Sequence, residues 1–136
     1  MILDTSAVIA ILRLEPEAAE FARIIERTAQ PRMSAVSYVE AGAVIDGSKD
    51  PVASRRFDEL IEAAQVVIEP VTEEQALIAR QAYRDFGKTS GHKAKLNFGD
   101  CFSYALAKSK GKALLFKGQD FSRTDVKSAR DSGDFG

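Results

Sequence analysis

Four acidic residues of this chain stand in apolar company. Asp4 interrupts the first apolar run, MILDTSAVIAIL, and Glu40 is the one charge in the interior of SAVSYVEAGAVID. Asp100 is the only charge between Lys95 and Lys108, in LNFGDCFSYALAK, and Asp120 follows the run ALLF by a few residues, in KGQDF. Each has an ordinary explanation: Asp4 and Asp100 as helix caps, Glu40 as the partner of an arginine, Asp120 as a turn residue. Together they are harder to explain, because several buried carboxylates on one site repel each other, raise their own pKa values and weaken the fold. A divalent cation removes that conflict. Oxygen ligands without a His or Cys cluster point to Mg2+ or Mn2+ rather than zinc. Such a cation lowers the pKa of an attacking water and stabilises charge on a leaving oxygen, which suits phosphoryl chemistry.

The elements that would position these acids follow from apolar spacing and end signals. MIL reads as a short buried strand, and helix-prone residues follow it. Phe21, Ile24, Ile25 and Thr28 recur at helical spacing from Glu15 to about Ala29, with Pro16 and Glu17 suited to the first turn. PRMSA is a second strand, after which Ser34 caps a helix through Ile45 that stops near Gly47. Pro51 begins a helix to about Ala64, QVVIEPV is a strand, and Thr72 with Gln75 forms a capping box. The helix behind Thr72 carries Ala76, Ala79, Tyr83 and Phe86 on one face and ends at Gly87. GKTSGHKAK is a polar, basic loop, and Asn97 to about Lys110 is helical, ended by Gly111. KALLFKG is a fourth strand and DVKSA a short fifth. Strands alternating with single or paired helices predict an α/β fold in three layers: a mainly parallel sheet of four or five strands flanked by helices. Ligands of such sheets bind beyond the carboxyl ends of the strands, and Asp4 stands there.

The chain's 136 residues fit one domain, 1–136, with a substantial core. A hydrophobic share of 45% and a charged share of 29% describe a soluble globular protein. No apolar run reaches the roughly 18 residues of a membrane span. Asp4 falls where a signal peptide would be basic. A single cysteine, Cys101, excludes disulfides within the chain and fits a reducing, cytoplasmic setting. Pairing of that thiol with His92, the only histidine, has no local support, and Cys101 reads as a small core residue. A net charge of −1 argues against a broad basic face for nucleic acid but leaves room for a local patch.

MILDTSAV, SAVSYVEA with Glu40, LNFGDCFSYALAK with Asp100, and LLFKGQDFSRTDV together resemble the PIN-domain ribonucleases of the VapC toxin type, essentially end to end. The resemblance implies a three-layer PIN fold and a Mg2+-dependent endoribonuclease that is the toxin of a toxin–antitoxin pair. It further implies inhibition by a small VapB-type antitoxin and assembly as a homodimer and as a toxin–antitoxin hetero-oligomer. Asp4, Glu40 and Asp100 match the family's acidic triad, which implies metal ligation. Thr5 or Ser6 matches the polar position beside the first acid, and Asn97 the Asn before the third. Many relatives have two adjacent acids before the closing Phe; here the first is Gln119, and Asp120 remains. Asp120 is then the assistant of a second metal, or Gln119 orients a water in its place.

Lys88, His92, Lys93 and Lys95 cluster just before the Asp100 helix, and Lys117 and Arg123 lie on the other side. They are candidate phosphate contacts or, alternatively, a solvated rim. The helices from Glu15 to Ala29 and from Pro51 to Ala64 are candidate walls of an antitoxin groove. Three rivals stand beside this reading. A haloacid-dehalogenase-like phosphatase needs a second acid two positions after the first, where Ser6 stands. A non-catalytic module of the same fold is favoured only by Gln119. A DNA-directed PIN-superfamily nuclease usually carries insertions that this chain lacks.

Overall fold

The computed structural model describes residues 1–132. Its centre is a four-stranded, all-parallel sheet of β1 (Ile2–Leu3), β2 (Arg32–Ser34), β3 (Val67–Glu69) and β4 (Leu114–Leu115), in the order β3-β2-β1-β4. Alternation along the strands divides the core between two faces. Met1, Leu3, Met33 and Leu115 face one side, against α1 (Thr5–Leu12), α2 (Ala18–Arg27), α3 (Ala35–Gly47) and α4 (Pro51–Ala63). Ile2, Leu114 and Phe116 face the other, against α5 (Glu73–Phe86) and α6 (Phe98–Lys110). The three-layer α/β architecture expected from the sequence is therefore present, with four strands.

From β1 the chain moves to β2 and β3 on one side, then crosses back to β4 on the other. The carboxyl ends of β1 and β4 are thus the topological switch point, where open parallel sheets place their ligands. Two capped helices begin directly where strands end. Asp4 closes β1 and accepts the Ser6 N–H as N-cap of α1, and Ser34 closes β2 and accepts the Val36 N–H as N-cap of α3. Helix α6 starts with a full capping box, Asn97 accepting the Asp100 N–H while the Asp100 carboxylate accepts the Asn97 N–H.

Two expectations are corrected. DVKSA is not a strand: Ser128 makes one isolated bridge to Leu114, between a 3-10 turn at Phe121–Arg123 and a short helix α7 at Ala129–Ser132. That segment crosses the edge of β4 at one residue, so no ladder extends. Helix α2 starts at Ala18 rather than Glu15, because Leu14 adopts positive φ and residues 15–17 form the turn that reverses the chain after α1. Its predicted apolar face is otherwise as expected, with Phe21, Ile24, Ile25 and Thr28 buried.

Candidate active site

Asp4 is only 3% exposed, and both of its oxygens are held. Oδ2 accepts the Ser6 backbone N–H at 3.0 Å and the Ser6 hydroxyl at 2.6 Å, and Oδ1 accepts the Ser103 hydroxyl at 2.6 Å. The Ser6 hydroxyl in turn accepts the Lys117 backbone N–H at 3.0 Å, which ties the end of β4 to the same carboxylate. Thr5 and Ser6 have separate partners: the Thr5 hydroxyl donates to Glu40 Oε1 at 2.7 Å and lies 3.1 Å from the Ser37 carbonyl.

Glu40, on α3, is seated against the first turn of α6. A methyl group on Gly99 would stand 2.2 Å from Glu40 Oε2, so the carboxylate occupies the space that the glycine leaves. Asp100 Oδ2 accepts the Asn97 N–H at 2.9 Å, and no described donor reaches its Oδ1. Burial, opposed by the Asn97 hydrogen bond and reinforced by the charges of Asp4, Glu40 and Asp120, pushes the Asp100 carboxyl up to about 7. Asp4, Thr5, Ser6, Glu40, Asn97 and Asp100 line one open cleft at the sheet's carboxyl edge, of about 430 Å³. Arg13, Glu15 and Lys117 complete its rim.

Asp120 is exposed and caps no backbone group of the 3-10 turn that follows it, yet its charge acts on Asp100. Gln119 faces a separate cleft with Glu20, Ser122 and Arg130. The candidate cations have varied surroundings. Lys88, Lys93 and Lys95 are exposed on the loop leading to Asn97. Lys117 Nζ is paired with Glu15 at 3.1 Å and Glu17 at 3.6 Å. Arg123 donates to the Lys93 carbonyl at 3.0 Å and so braces that loop. His92 Nδ1 accepts the Ala94 N–H, and its ring meets Phe86 edge-on at 5.0 Å. The Cys101 thiol is pushed up to about 11 by burial and the Asp100 charge, which leaves it protonated at neutral pH; it is a buried packing residue.

Among the described residues, no three His, Cys, Asp or Glu side chains stand close enough to form a ready metal cage. The donor set nevertheless fits a hard divalent cation. It is all oxygen, Glu40 Oε2 and Asp100 Oδ1 are unclaimed by described donors, and burial, with a smaller contribution from the neighbouring acids, has already pushed Asp100 toward neutrality. Sequence inspection missed Ser37, Ser103, Gly99 and Arg13. The two serines carried a faint signal, one helical turn from Glu40 and Asp100 respectively, on faces otherwise built of small and apolar residues.

The chain matches the PIN domain over residues 1–127. It is 57% identical over 131 residues to Ribonuclease VapC28 of Mycobacterium tuberculosis, covering 96% of this chain and 98% of that relative. The chain therefore belongs to the PIN-domain family and, within it, to the VapC ribonucleases. Two solved structures share its fold. One is Mycobacterium tuberculosis VapC20, described as a sarcin-ricin loop cleaving toxin, with TM-score 0.70, 17% identity and coverage of 92% of this chain and 95% of that chain. The other belongs to a toxin–antitoxin complex from Klebsiella pneumoniae, with TM-score 0.67, 18% identity and coverage of 89% of both chains.

Proposed function

We propose that this chain is the toxin of a toxin–antitoxin pair and hydrolyses RNA phosphodiester bonds with a divalent cation, Mg2+ with Mn2+ as a substitute. The observation that carries this reading is the convergence of Asp4, Glu40 and Asp100, from three separate elements, on one cleft at the switch point of the sheet. These three would hold the cation. When bound, it would supply an activated water and neutralise charge on the leaving oxygen. The chain's own contribution is orientation. Ser6 and Ser103 aim the Asp4 carboxylate, Thr5 aims Glu40, and Asn97 holds Asp100 by Oδ2. Burial pushes the Asp100 carboxyl up to about 7, so a cation held there would compete with a proton for this carboxylate near neutral pH. Asp120, exposed beside this cluster, would assist a second cation.

Lys88, Lys93 and Lys95 guide the RNA backbone toward Asn97, and Arg123 stiffens their loop from below. The Glu15 and Glu17 pairs of Lys117 oppose a phosphate contact by that residue unless RNA displaces them. A VapB-type antitoxin would dock against α2 and α4, beside Leu14 in the connection from α1 to α2 and Val52 at the start of α4, which are 71% and 51% exposed, and place an arginine on the acids. We further propose a homodimer, as the family resemblance implies, and a cytoplasmic location, which the lone free thiol of Cys101 fits.

The test is cleavage of total cellular RNA by antitoxin-free protein with Mg2+ or Mn2+, beside Asp4→Asn and an EDTA control. Discrete fragments lost in both controls are expected. Intact RNA from the folded wild type under either metal overturns the enzymatic reading, and equal cutting of matched DNA overturns the restriction to RNA.

A further inference from the structure

Two fully buried hydroxyls stand behind the acids. Ser37 and Ser103 are each 0% exposed, with their Oγ atoms 2.8 Å apart, and Ser103 Oγ is 2.6 Å from Asp4 Oδ1. Proton counting gives the pair a direction. A hydroxyl has one proton, and that of Ser103 goes to the Asp4 carboxylate, so Ser37 is the donor to Ser103. The chain Ser37→Ser103→Asp4 polarises in one sense, each bond strengthening the next. Its location matters more. Ser37 lies one turn before Glu40 on α3, and Ser103 lies one turn after Asp100 on α6. The Ser37–Ser103 contact therefore joins the helix that carries Glu40 to the helix that carries Asp100, and it does so on the carboxylate of Asp4. Burying two hydroxyls at a helix interface is costly unless they are hydrogen-bonded, and here both are, one to the other and the pair to Asp4.

We infer that Ser37 and Ser103 are positioning residues that set the spacing of Asp4, Glu40 and Asp100 for a divalent cation; this rests on the metal-dependent reading above. Neither serine touches the cation or the substrate. Ser103 orients the inner oxygen of Asp4, and Ser37 holds Ser103 in that role while fixing α3 against α6. Hydroxyls in this outer position act on affinity for the metal, typically by about 10- to 100-fold on removal.

The experiment measures Mn2+ affinity by electron paramagnetic resonance on purified wild type, Ser37→Ala, Ser103→Ala and Asp4→Asn, with thermal melts of each in EDTA. The expected result is a loss of Mn2+ affinity of about tenfold or more in both serine variants, with melting temperatures in EDTA close to wild type. In cleavage assays the Mg2+ concentration for half-maximal rate then rises more than the saturated rate falls. Wild-type affinity in both serine variants, with binding lost in Asp4→Asn, overturns the positioning role and leaves the metal reading intact. Absence of Mn2+ binding by the wild type overturns both. Should Ser103→Ala fail to fold, Ser37→Ala decides alone, since it leaves Asp4 its donor; unchanged affinity there overturns the inference.

Discussion

Gly99 illustrates how much a site depends on an atom that is absent. Its missing side chain makes room for the Glu40 carboxylate, and a Cβ would fall 2.2 Å from Oε2. The obstructed group is the far end of a flexible side chain, so Gly99→Ala should leave the fold intact, aided by the better helix propensity of alanine. Glu40 should be displaced. We expect RNA cleavage to fall by about 100-fold, the scale of a misplaced catalytic group, with an unchanged circular dichroism spectrum; near-normal cleavage by Gly99→Ala would show that Glu40 is dispensable. Asp100 supports a second prediction at this scale. Its carboxyl rises from an ordinary 3.8 to about 7 on folding without metal. Between those values the folded chain keeps a proton that the unfolded chain has released, so stability falls as pH rises through this window. Asp100→Asn keeps an acceptor for the Asn97 N–H and removes the half-buried charge. The metal-free variant should melt above wild type at pH 8 and converge with it toward pH 4. A constant offset across that range would assign the effect to packing instead.

Among the elements, the loop between α5 and α6 shows the opposite use of glycine. Gly87 ends α5, and its neighbours close a small parallel contact, Lys88 N–H to Leu96 carbonyl at 3.0 Å and Leu96 N–H to Phe86 carbonyl at 2.8 Å. A Cβ at Gly87 would stand 2.3 Å from the Tyr83 carbonyl oxygen, which is backbone and cannot turn aside. Gly87→Ala should therefore destabilise the chain by about 1–3 kcal/mol, in the range of other overpacking substitutions. Chemical denaturation measures this directly, and a loss below about 0.5 kcal/mol, the scale of an ordinary surface change, would contradict it. The same loop delivers Asn97 to the capping box that holds Asp100, and Arg123 braces it through the Lys93 carbonyl. Loop anchoring and site geometry are thus coupled through one helix end.

Over the whole molecule, folding without metal concentrates carboxylates that repel, while the net charge is only −1. Metal binding should consequently stabilise the fold, by about 2.7 kcal/mol at a hundredfold excess over the dissociation constant. The gain should be larger at pH 8 than at pH 5, where protonated Asp100 competes with the cation. Asp4, Glu40 and Asp100 line the cleft while Asp120 stands exposed outside its lining, so a second metal position should be weaker than the first. Isothermal titration should show one tight Mn2+ site in the free protein and a second only when RNA is present. Two equally tight sites without RNA would refute that asymmetry.

Local physics made much of this legible in the linear chain. Asp4, Glu40 and Asp100 stood out because a charge in an apolar stretch needs a reason, and the caps at Ser34, Thr72 and Asn97 act through backbone groups two or three residues away. The three-layer fold followed from the alternation of strands with helices. Tertiary structure alone decided the rest. Residues 37 and 103 are 66 positions apart, and nothing local shows that two ordinary serines share a hydrogen bond. The seat under Glu40 is equally hidden, because a glycine in a helix start has no local sign of what fills its space. DVKSA has strand composition, but whether it pairs depends on how the chain after β4 meets the sheet edge, where it makes a single bridge at Ser128, with the Lys127 carbonyl accepting the Leu114 N–H. Periodicity and capping are short-range and written in neighbouring residues, whereas the spacing of acids from three elements is set by packing between helices distant in sequence.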